Sequence, residues 1–204
     1  MSPPGRPKGE YRSAEHGGFP LHWQQVPLSG VPAKPWRNGG GVTRELLAWP
    51  SALDWRVRIS VADIERDGPF SAFPGSERWF AVIEGAGVEL RLAGQAKLVP
   101  PGVPLRFEGD VAVHCSLPAG ATRDLNLMAP PGCGQLRPVV PGDRMRGDAG
   151  RRLLGLYAHQ EAAALLWHGV ELELPAATLA WQVHDGEMQG QLRGGAGWWL
   201  EVEL

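Results

Sequence analysis

Three consecutive glycines, Gly39, Gly40 and Gly41, stand inside the run Trp36-Arg-Asn-Gly-Gly-Gly-Val-Thr-Arg-Glu45. Glycine lets the main chain take positive φ and turn successive N–H donors toward a ligand, a concave nest suited to a carboxylate. The same run also suits a plain turn ahead of a strand, and both readings stay open. Asn38 offers donors and an acceptor, while Thr43 and Glu45, two apart on an extended chain, share one face that a single ligand could meet together with Trp36. Glu45 fits an exposed strand carboxylate equally well.

A second set lies on Trp55-Arg-Val-Arg-Ile-Ser-Val-Ala62, where Trp55, Val57, Ile59 and Val61 take one face and Arg56, Arg58 and Ser60 the other. If the polar face looks into a barrel, Arg58 is a forked partner for a carboxylate; if it looks outward, both groups are solvated. Phe70, Ser71 and Phe73 follow the turn Asp67-Gly-Pro69 and suit either a cover for a ligand's apolar part or a core plug. Asp124 and Asn126 alternate with Leu125 and Leu127, giving a polar face that is either a ligand contact or a turn anchor.

Short apolar runs separated by turn residues must position these groups. With 28 glycines and 19 prolines the chain is punctuated too often for long helices. Strands are expected at 41–49, 55–62, 79–84, 88–92, 105–107, 111–117 and 124–128, then at 152–157, 165–167, 170–174, 178–181 and 198–204. Residues 159–166 also suit a short helical turn. The expected organisation is a mobile tail at 1–20, a first barrel at 21–130, and at 131–204 a linker, through about Gly150, followed by a second, smaller barrel. The fold class is all-β, two jelly-roll-like barrels.

Composition narrows the partners. A net charge of −2 without Lys/Arg runs speaks against nucleic acid. No apolar stretch approaches a membrane span and residues 1–20 lack a signal-peptide core, so a cytoplasmic protein is expected. Cys115 and Cys133 have no metal-site spacing and read as free thiols. Among nine tryptophans, the neighbours Trp198 and Trp199 point to opposite faces of a strand, so that one exposed ring is available for a partner or a homodimer contact.

The words Trp36–Glu45, Trp55–Asp63 and Asp67–Gly75, then Val82-Ile-Glu-Gly85, Phe107-Glu-Gly-Asp110 and Asp124-Leu-Asn-Leu-Met128, resemble in this order the HutD/Ves family over about residues 21–130. The resemblance implies a bicupin whose first barrel carries the motifs. HutD proteins are associated with histidine-utilisation operons, where sensing or buffering of a pathway metabolite is ascribed to them, and Ves proteins with stress responses. It implies ligand binding and no named reaction.

Metal-binding cupins place His-x-His and Glu in one motif and His in another. Here Gly94, Pro100 and Gly102 keep the second motif's spacing, yet Leu105 stands where its histidine belongs, and Arg78 stands where the first motif's glutamate belongs. His159, His168 and His184 have no ligand spacing. No metal and no cofactor are therefore expected. An arginine in place of a ligating carboxylate favours direct anion binding, although Arg78 also suits a surface pair with Glu77 or Glu84. The leading expectation is a binder of a small anionic metabolite such as urocanate or formylglutamate. The rivals are a metal-independent isomerase or hydrolase with Glu45 or Asp124 as base, and an interaction scaffold.

Overall fold

A computed structural model describes residues 23–204; the tail assigned to 1–20, with Leu21 and His22, lies outside the described residues. The regular elements are seventeen strands and one 3₁₀ turn, Leu28–Gly30. The strands are β1 (Gln24–Pro27), β2 (Lys34–Pro35), β3 (Gly41–Pro50), β4 (Trp55–Ile64), β5 (Gly68–Pro69), β6 (Glu77–Glu84), β7 (Val88–Leu92), β8 (Gln95–Val99), β9 (Leu105–Glu108), β10 (Val113–Ser116), β11 (Thr122–Ala129), β12 (Gly134–Val139), β13 (Arg144–Ala158), β14 (Ala163–Trp167), β15 (Val170–Leu174), β16 (Thr178–Gly194) and β17 (Gly197–Glu203). No helix among the described residues is long and apolar enough to cross a membrane.

Three antiparallel sheets result. One has the order β2-β3-β4-β11-β6-β9, a smaller one β5-β10-β7-β8, and the third β12-β17-β13-β16-β14-β15 with β1 beside β16. The six-stranded sheet is the middle layer, and the alternation along its strands assigns each face. Val57, Ile59 and Val61 of β4, with Leu125 and Leu127 of β11, pack against Leu153, Tyr157, Trp198 and Leu200 of the seven-stranded sheet. The opposite face looks toward the four-stranded sheet and its core of Val88, Leu90, Val113 and Cys115. Arg58, Ser60, Arg78 and Asn126 therefore point into the cup between these two sheets. The seven-stranded sheet closes its other face over Met145, Leu156, Leu165, Trp167 and Trp199.

Four expectations need correction. Residues 159–166 form no helical turn: Ala163–Trp167 is β14, paired with β15 and β16, because Ala163, Leu165 and Trp167 alternate into a core. The stretch 130–150 is not merely a linker, since it contains β12 and the start of β13. Its Pro138 is tolerated because β12 is an edge strand, and the ladder is irregular between Gly147 and Gly150. Strand β1, within the stretch assigned to the first barrel, is bonded to β16 of the seven-stranded sheet. Trp198 and Trp199 are both buried, one in each core, so neither presents an exposed ring.

A charged network borders the contact between the middle and seven-stranded sheets. Asp63 accepts a hydrogen bond from Arg44 Nη1 at 2.6 Å and another from Arg123 Nε at 2.6 Å. Arg123 Nη1 also donates to Glu84 at 2.9 Å, and Glu84 lies 3.4 Å from His159 Nε2. Burial raises the Asp63 pKa, but the two guanidinium bonds outweigh it and hold the carboxyl below its usual value of 3.8. Its stabilising contribution is complete above that value and is lost as pH falls through the lower native one. Because Asp63 is partly exposed, Asp63→Asn is expected to cost only about 1–2 kcal/mol at pH 7, roughly 3–6 °C in Tm. Calorimetry should show this gap closing as pH falls below the ordinary carboxyl value of 3.8; a constant gap would mean that the charge is not responsible.

Candidate functional site

The cup holds a pocket of about 580 Å³, within the usual range for small-molecule sites. Its floor is Arg78 on β6, with Asn126 and Met128 on β11; Arg58, Ser60 and Ala62 of β4 form one wall, and Trp36, Phe70 and Phe73 lie around it. Strand period puts Arg58, Ser60 and Ala62 on one face. The pairing Met128↔Arg78 then brings the β11 residues alongside the floor arginine.

Arg78 is 7% exposed and belongs to no surface pair. Its Nε and Nη2 both donate to Asn126 Oδ1, at 2.9 and 2.6 Å, and it has no other protein acceptor among the described residues. Its Cζ sits 4.5 Å from the Phe70 ring centroid, 5.6 Å from that of Phe107 and 5.7 Å from that of Phe80. Burial pulls the guanidinium down to about 10, opposed by nearby Asp124, so it remains charged at neutral pH. Glu77 bonds Arg106 instead, and Glu84 bonds Arg123.

Arg58 differs in kind. Its Nε donates to Glu45 Oε2 at 2.7 Å, and Lys34 lies 3.9 Å from the other oxygen of that carboxylate. Glu45 thus sets the orientation of Arg58 and cancels most of its charge; it does not itself line the pocket. Across the cavity Trp36 Nε1 donates to Thr43 Oγ1 at 2.7 Å, and the Trp36 ring meets Phe70 edge-on at 6.0 Å.

A family model described as HutD matches residues 29–198. The chain belongs to the HutD family. Curated relatives include an uncharacterized 21.2 kDa protein in the hutC 3' region of Pseudomonas putida, 41% identical over 103 residues, 49% of this chain and 54% of that one. Protein Ves of Citrobacter koseri is 39% identical over 101 residues, 48% of this chain and 53% of that one. The chain spans about half the length of the curated relatives it matches. The solved structure of HutD from Pseudomonas fluorescens SBW25 (formate condition) is 27% identical with a TM-score of 0.76, covering 90% of this chain and all of that one. A cupin 2 conserved barrel domain protein from Leptotrichia buccalis, 10% identical with a TM-score of 0.52 over 89% of this chain and 96% of that one, shows that the fold is cupin-like.

In this HutD-family cup the structure brings together Trp36, Asn38, Thr43, Arg58, Ser60, Phe70, Ser71, Arg78 and Asn126. It does not bring the glycines. Gly39, at φ +68°, donates its N–H to Trp36 O, and Gly40 donates to Asn38 Oδ1 at 3.0 Å. A Cβ at Gly41 would overlap the Asp63 carbonyl oxygen. The triplet is therefore a tight turn with the Gly39 and Gly40 N–H groups turned back on it, away from the pocket lining, and Asn38 is partly spent on holding it. Asp124 is fully buried and absent from the pocket wall.

Sequence reasoning missed Lys34, Pro35, Arg37, Ala62, Pro69 and Met128. Ala62 and Met128 simply continue the alternations Arg58-Ser60 and Asp124-Asn126, and Lys34 and Arg37 flank Trp36. The residues around the cup do not fit a cupin metal: a guanidinium forms the floor, and among the described residues no group of three or more His, Cys, Asp or Glu side chains is placed to hold an ion.

Proposed function

We propose that the cup binds a small carboxylated metabolite and that the protein serves histidine utilisation as a sensor or buffer of it. One observation carries the reading: a desolvated, protonated guanidinium at the pocket floor, hydrogen-bonded only to a neutral amide. A buried charge without an ionised partner is costly, and an incoming carboxylate supplies that partner with two parallel charge-assisted bonds. Trp36, Phe70 and Phe73 suit a planar or apolar remainder, as in urocanate, while the Arg58–Glu45 pair suits a polar one, as in formylglutamate. Family membership and the position of the P. putida relative beside hutC support the pathway assignment.

Catalysis has less support. Glu45 is held by Arg58 and Asp124 lies behind the wall, so among the described residues no pocket-lining carboxylate is free to act as a base. The test is a thermal-shift and titration series with urocanate, formylglutamate, glutamate and formate. Saturation at about 100 times Kd contributes ~2.7 kcal/mol, roughly 5–10 °C for a chain of this size. A shift with at least one carboxylate is expected. Silence with all of them, or an equal shift in Arg78→Met, overturns the reading.

A further inference from the structure

We infer that Asp124 acts as a proton switch beneath the pocket: protonated, it leaves the Arg78 charge to an anion in the cup, and ionised, it takes that charge and releases the anion. The inference rests on the reading that Arg78 receives the anion.

The geometry around Asp124 favours the neutral acid. Its side chain is 0% exposed on the cup side of β11, opposite Ala62 of β4 and Val82 of β6, among Ile64, Phe80, Val82 and Cys115. Oδ2 accepts from the Thr122 hydroxyl at 3.2 Å, whereas Oδ1 has no donor among the described residues. The nearby arginine spends its hydrogen bonds on Asn126 rather than on this carboxyl. An ionised carboxylate with one neutral donor in such surroundings is strongly disfavoured, so the proton stays on, and Oδ1 is the free oxygen to carry it.

The groups acting on Asp124 can be named element by element. Arg78 of β6 favours its ionisation and Asp63 of β4 opposes it, while Thr122 on β11 supplies the one hydrogen bond. From the facing sheet comes Cys115 of β10, whose thiol burial pushes up to about 12, so it stays neutral. Arg58 of β4 acts on Arg78 rather than on the carboxyl. Burial is the dominant influence and lifts Asp124 from 3.8 to about 8, within reach of ordinary solution pH. An anion beside Arg78 adds a second negative charge next to Asp124 and raises it further. By linkage, anion binding above that pH must take up a proton.

Formate, ionised throughout the range and small enough to reach the floor, is the probe. It is titrated into the full-length protein and into Asp124→Asn at pH 6, 7, 8 and 9. Wild-type affinity is expected to hold to about pH 8 and then to fall toward tenfold per pH unit. The variant should match the wild type at pH 6 and show no fall. Titrations in buffers of different ionisation enthalpy should register uptake approaching one proton per formate at pH 9 in the wild type, a measurement that needs no variant. A wild-type profile flat to pH 9, an equal fall in the variant, or zero proton uptake overturns the switch and leaves the pocket standing. Absence of formate binding at every pH in both proteins overturns the switch; only silence with urocanate, formylglutamate and glutamate as well overturns the pocket reading together with it.

Discussion

Arg78→Met is expected to weaken binding of formate or urocanate by roughly 100-fold, the equivalent of about 3 kcal/mol for losing charge-assisted bonds to a carboxylate. Methionine keeps the unbranched apolar stem of the side chain while removing the guanidinium, and with it the charge and the stacking on Phe70. The fold should survive, because the substitution also removes a desolvated guanidinium that has only Asn126 as its partner. Arg58→Met should cost far less, about fivefold, since Glu45 already occupies that cation. Calorimetric titration of the two variants side by side decides the matter. A larger loss at Arg58 than at Arg78 would place the anion at the wall and not on the floor.

Gly41→Ala is the substitution expected to damage the fold most for its size. A methyl group there meets the Asp63 carbonyl oxygen of β4, and backbone cannot step aside as a flexible side chain can. Moving β3 away from β4 would disturb the ladder Gly41↔Ile64 to Glu45↔Ser60. The cost should be roughly 3 kcal/mol, or about 5–10 °C in Tm. Gly39→Ala, which meets open space and has only its positive φ to oppose it, should cost about 1 kcal/mol. Thermal melts of the pair separate close approach from backbone conformation. A Gly41→Ala protein as stable as its parent would restore the nest reading of the triplet.

Strand positions were legible because period-2 alternation is local: Val57, Ile59 and Val61 against Arg58 and Ser60 need no knowledge of distant residues. Which of the two faces looks into the cup was not legible, because the six-stranded sheet is covered on both sides. Its apolar face meets another sheet and its polar face meets the pocket, the reverse of a barrel whose apolar residues point inward. Asp124 and Asn126 were indistinguishable for the same reason. Both lie on the cup face, and only the packing of Val82, Ile64 and Cys115 separates a buried acid from a pocket amide. Residues 134–139 escaped notice because proline and glycine mark turns by propensity, whereas an edge strand tolerates both. The glycine triplet misled because the N–H groups of Gly39 and Gly40 are satisfied by Trp36 O and the Asn38 side chain, partners that composition does not reveal.

The pairing of Gln24–Pro27 with Thr178–Trp181 bears on how the chain reaches its native state. Both cup sheets lie between these segments in sequence, so β1 can dock only after β16 has been made and its own sheet has formed. Closing so long a loop is among the slow steps of folding, since its entropy is lost before the contact rewards it. During synthesis the cup can assemble first, while Val26 waits for the seven-stranded half of the core it joins. The last event is then a zipping of the chain's early residues onto its late ones, and a ribosome-bound chain stopped near residue 170, with β11 clear of the exit tunnel and β16 not yet made, should protect the amides of β4 and β11 from exchange but not those of β1.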